Sequence, residues 1–120
     1  MTAFRIKNWN EHFEKAQGRR CARMTWVAIP NKHDGKGFRR IARHDSATDL
    51  FAAWILIIEV ASKMPTRGTL ADEDGALSAE DLADMTGFPA AIFHLAFTVL
   101  TQPEIGWIER LAMSPLGVGS

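Results

Sequence analysis

The sequence predicts a mainly α domain with a small β component, and three observations carry that expectation. The stretch from Leu50 to Lys63 is long, apolar and free of helix breakers. Two more helical stretches, 79–85 and 90–101, are separated by the turn residues Thr86, Gly87 and Phe88. Short β-type runs at 69–71 and 106–110 flank that pair. A short helix, a glycine-containing turn and a longer helix make a helix-turn-helix, and the flanking strands make it winged. The expected whole is a winged helix-turn-helix with a basic N-terminal extension. The extension, 1–45, packs on the domain; 46–113 form the winged-helix domain; 114–120 are a flexible tail.

Size and composition agree. A chain of 120 residues fits one domain. With 47% hydrophobic and 23% charged residues it is neither disordered nor collagen-like. The longest apolar run, Leu50 to Ile58, falls short of the roughly 20 residues that cross a bilayer. Arg5, Lys7, Asn8 and Asn10 interrupt any secretory h-region. The lone Cys21 cannot form an internal disulfide. The expectation is a cytoplasmic protein with no membrane partner and no cofactor.

The elements follow from local pattern. Phe4 and Ile6 alternate as in a short strand, and RMTWVAI (23–29) reads as another, stopped by Pro30. Residues 31–37 (NKHDGKG) are turn chemistry. FRRIAR (38–43) is ambiguous; as a helix it turns Phe38 and Ile41 inward and Lys36, Arg39, Arg40 and Arg43 outward. Ser46 and Asp49 have capping-box spacing, and so do Ser78 and Asp81. The helix after Ser46 is apolar on most sides, which marks it as central and buried. Pro89 suits the start of the last helix. Leu82, Phe88, Phe93 and Val99 are expected along the helix-turn-helix seam, with Ala83 at the close approach.

The zero net charge hides a polarity. Residues 1–43 carry eleven basic and three acidic residues, +8; residues 44–120 carry three basic and eleven acidic, −8. A basic half suits a polyanion, because Lys and Arg displace the counterions of phosphates. The alternative is that the two halves neutralise each other. Arg19, Arg20, Arg23, Lys32, Lys36, Arg39, Arg40 and Arg43 are the expected phosphate contacts. Phe4, Trp9, Phe13, Trp26 and Phe38 lie among these cations, though most aromatics in so small a chain, Trp26 included, belong in the core. The last helix lacks the Arg, Lys and Asn side chains that read base edges. Its outer residues, Ala90, His94, Phe97 and Thr98, suit a protein contact instead.

The segments WVAIPNKHDGKGF (26–38), HDSATDLFAAWILIIEVASKMPTRGTLADEDG (44–75), LSAEDLADMTGFP (77–89) and IGWIER (105–110) resemble a phage and prophage family. Its members are replication-type proteins with an N-terminal winged helix, similar to the DnaD-type replisome organisers. The resemblance implies DNA replication initiation or helicase loading. It implies DNA, a replication helicase or primosome component, and further copies of the chain as partners.

Enzymatic chemistry finds no support. His33-Asp34 and His44-Asp45 are adjacent pairs that do not share a face, and no zinc spacing is present. Around Asp72-Glu73-Asp74-Gly75, Ala76 and Ala83 stand where calcium ligands belong. Cys21 has no sequence-placed base, and Gly35 with Gly37 completes no nucleotide fingerprint. No catalytic or metal-binding residue is expected. The expected function is nucleic-acid binding through the phosphate backbone, with a protein-interaction adaptor as the alternative.

Overall fold

An antiparallel four-stranded sheet carries four helices in the computed structural model, which describes residues 2–9 and 35–112. In chain order the elements are β1 (Thr2–Ile6), α1 (Gly35–Ala42), α2 (Ala47–Ser62), β2 (Thr69–Asp72), β3 (Gly75–Ala76), α3 (Ala79–Thr86), α4 (Ala90–Val99) and β4 (Ile108–Ala112). The architecture is a mixed α/β fold, with more sheet than expected. The strand at 23–29, Cys21 and the tail at 114–120 lie outside the described residues.

The sheet order is β3-β2-β1-β4. The two strands expected to flank the helix-turn-helix both form, but they do not pair with each other. β1 runs between them, with Phe4 opposite Leu70 on one side and Arg110 on the other. The N-terminal strand is therefore an internal part of the sheet. Alternation along these strands puts Phe4, Ile6, Leu70 and Ile108 on the inner face. The other face carries a cross-strand row of Thr69, Arg5 and Glu109.

α2 is the central helix, as its composition predicts. Leu50, Ala53, Trp54, Ile57, Ile58, Val60 and Ala61 are buried along it. Together with Leu70, Leu82, Phe93, Leu100 and Ile108 they form one continuous core. Trp54 lies against Trp107, ring centroids 5.0 Å apart. Capping differs between the two expected boxes. Ser78 and Asp81 form theirs: Asp81 N donates to Ser78 Oγ (3.1 Å) and Ser78 N to Asp81 Oδ2 (2.8 Å). Ser46 occupies the N-cap of α2 but makes no side-chain cap bond. Its own N–H donates to His44 Nδ1 (3.0 Å), because the link from α1 is too tight for an extended N-cap.

Local chemistry builds the turn that joins α3 to α4. Gly87 takes φ +79° and closes α3 by donating to Ala83 O (2.8 Å), a left-handed helix ending that glycine adopts at least cost. Pro89, expected as the first helical residue, is instead the N-cap of α4, which starts at Ala90. That turn swings Phe88 outward to 47% exposure, so it is not part of the seam, which Leu82, Phe93 and Val99 fill. Among the described residues, no helix is long and apolar enough to cross a membrane.

Candidate nucleic-acid interface

Two surfaces of opposite charge stand out among the described residues. The first is α1. This segment, ambiguous in sequence, is helical from Gly35, so the helix takes in the last three residues of the expected turn. Ile41 is buried at its contact with α2, while Arg39, Arg40 and Arg43 are exposed. Phe38 is 40% exposed rather than inward, and meets Phe51 of α2 edge-on at 6.2 Å between centroids. Arg39 and Arg43 are four residues apart and so neighbours on the helix surface. α1 contains no acidic residue. Cations in its last turn favour the negative end of the helix dipole, and they also gather positive charge on one exposed ridge. Arg19, Arg20, Arg23, Lys32 and the Lys36 side chain lie outside the described residues.

The second surface is α3 and α4. Between Arg67 and Arg110 the chain has no Lys or Arg and eight acidic residues. Of these, Glu80, Asp81 and Asp84 are exposed on α3. Phosphates approaching here meet like charge. Of the expected contact residues on α4, His94 and Thr98 are exposed and Ala90 is half-buried. Phe97 is not on the outer face. It is buried at 7% exposure and stacks on Phe4, ring centroids 4.0 Å apart and planes 5° from parallel. The reason is β1, which enters the sheet beneath α4 and covers the side of that helix that the local sequence leaves open.

His94 is itself committed. Its Nε2 lies 2.6 Å from Glu80 Oε2, joining the start of α3 to the middle of α4. This hydrogen bond is the main cause that holds the Glu80 carboxyl below the usual carboxylate range. A carboxyl with a depressed folded pKa contributes stability that is present above its unfolded pKa and lost as pH falls through the folded value. Stability is therefore expected to fall with acid below a pH of about 4.5, the ordinary Glu value. Glu80→Gln should flatten that part of the profile, measured as urea midpoints from neutral pH downward. Superimposable acid limbs for the two proteins would show that the contact adds nothing.

No protein-family model, curated protein or solved structure matches this chain.

Proposed function

We propose that this chain is a nucleic-acid-binding module of winged-helix type that grips the phosphate backbone through the cationic ridge of α1. The observation that carries the reading is the separation of charge. Arg39 and Arg40 at the end of α1 and Arg43 one residue beyond it are exposed, and that helix holds no acid, while the face of α3 is acidic and α4 is apolar. Recognition then runs through phosphates, with little sequence preference. The order α2, β2, α3, α4, β4 supports the winged description. β1 lies beside β4, where the second strand of a wing hairpin would otherwise pair. A role in phage DNA replication initiation, with a helicase or primosome partner, rests on the sequence resemblance alone.

A second reading, an adaptor that binds further copies of itself, is favoured by the opposed character of two faces. The α1 ridge adjoins exposed Phe38 and Phe51; the α3 acids adjoin exposed Met85 and Phe88. Surfaces of opposite charge, each with apolar residues, suit head-to-tail association.

One pair of measurements separates the readings. Replacing Arg39, Arg40 and Arg43 together with Gln, a good helix former, should weaken oligonucleotide binding. It should also reduce the dependence of log K on log salt by about 0.9 for each phosphate that is no longer neutralised. Unchanged affinity removes α1 as the interface. Sedimentation of the same two proteins without nucleic acid tests the adaptor: a salt-sensitive oligomer that the triple replacement dissociates establishes it, and a monomer at all concentrations rejects it.

A further inference from the structure

An open groove of about 470 Å³ lies where α1 packs on the start of α2. Phe38, Ile41 and Ala42 line it from α1, and Thr48 and Phe51 are among its lining residues from α2. Ile41 is buried at its floor, whereas Phe51 keeps 38% of its surface open and meets the Phe38 ring edge-on. That volume suits a small ligand or one group of a larger one. Resting on the function proposed above, we propose that the groove seats an unstacked base of a nucleic acid whose phosphates run over the adjacent arginines. The ligand is then a single strand rather than a duplex.

Helical geometry sets the apolar and cationic contacts side by side. Phe38 and Ala42 form one row along α1, and Arg39 and Arg43 form the next, about 100° round the helix. Arg43 N donates to Arg39 O (3.1 Å), which carries the second row just past the end of α1. The Arg40 and Arg43 guanidinium groups make no ion pair among the described residues. No acid lines the groove, and the next acids along the chain, Asp45 and Asp49, lie outside its lining. Of the aromatics that the sequence sets among cations, Trp9 is buried and Phe4 lies against Phe97, while Phe38 is exposed and joined by Phe51. A duplex keeps its bases stacked inward, so it meets α1 with phosphates and leaves the groove unfilled. A single strand can turn a base out onto an aromatic ring, and every base has a face that can stack there. The α3 face of a second copy fits less well, because two of its carboxylates are engaged, Glu80 by His94 and Asp81 by Ser78 N–H.

The test is fluorescence anisotropy of the full chain with three labelled probes of equal length: oligothymidylate, the same strand paired with oligoadenylate, and an abasic strand that keeps only the sugar-phosphate backbone. Oligothymidylate should bind at least about fivefold more tightly than the abasic strand, as one stacked base provides. Phe51→Ala should remove most of that advantage and leave the salt dependence unchanged, because it deletes no charge. The comparison of the two single strands on the unaltered chain decides the matter if that variant folds poorly. Equal affinity for the two single strands, or oligothymidylate binding that folded Phe51→Ala does not alter, overturns the inference and leaves the proposed function standing. So does tighter binding of the duplex than of either single strand. Failure to bind any of the three probes rejects the proposed function and the inference with it. If Phe51→Ala dissociates an oligomer of the chain while oligothymidylate affinity holds, the groove seats a second copy and the inference falls.

Discussion

Phe97→Ala is expected to lower the free energy of unfolding by about 3–5 kcal/mol, the range for removing a buried phenyl ring. Phe97 is almost fully buried, and its ring lies flat on Phe4. Phe4 in turn carries the Arg110 guanidinium 5.7 Å from its centroid. The three side chains come from α4, β1 and β4, so the stack fastens the last helix to the middle of the sheet. A stacked pair adds about 0.5–1.5 kcal/mol beyond its area. In a domain whose total stability is about 5–15 kcal/mol, the loss should lower the Tm by roughly 12 °C or more. Phe4→Ala should behave alike, and the double replacement should cost less than the sum of the two, because each single change already breaks the contact. A loss under about 1 kcal/mol for Phe97→Ala would mean that β1 does not cover α4.

Gly68→Ala should cost about 2–5 kcal/mol through two separate effects. Gly68 sits at φ +91°, and an L residue held on the left-handed side costs about 1–2 kcal/mol. A methyl group there would also lie 2.6 Å from Trp9 Cγ and 2.7 Å from Trp9 Cβ. Trp9 is buried at 6% exposure and cannot retreat without disturbing the core, and overpacking of this kind costs about 1–3 kcal/mol. Relaxation is blocked from both sides, since Gly68 O accepts from Ile6 N at 2.7 Å and Gly68 N donates to Ala61 O at 3.0 Å. Gly87→Ala separates the two effects. Gly87 has φ +79°, but nothing lies within 4 Å of an added Cβ, so only the backbone penalty remains. Equal losses for the two variants in urea unfolding would show that Trp9 does not press on Gly68.

Some of this fold is open to sequence reading because it rests on neighbours a few residues apart. The Ser78–Asp81 box, the Gly87 ending and the apolar α2 are local arrangements, and each stands where its pattern places it. The same pattern at Ser46 and Asp49 fails, because the tight His44–Ala47 link sets the backbone there before the cap can form. Phe38 and Phe88 depart from expectation for a related reason. A helical period says which residues share a face, but not which face finds a partner. The candidate interface is legible as charge: the cluster around Arg39 to Arg43 and the absence of cations between Arg67 and Arg110 are plain in the sequence. The cross-strand row is not. Arg5, Thr69 and Glu109 are far apart in the chain, and none belongs to a recognisable spacing.

By itself, then, the sequence determined the helices from α2 onward, the turn between α3 and α4, and the opposed signs of the two halves. These depend on backbone propensity, capping and composition, all set within a turn or two of chain. Only the tertiary structure decided that β1 runs between β2 and β4, and that choice buries Phe97 and sets Arg5 opposite Glu109. Pairing Phe4 with both Leu70 and Arg110 joins residues separated by most of the chain. The energy of such a pairing comes from burial and ladder hydrogen bonds formed on folding, which leave no local period to read.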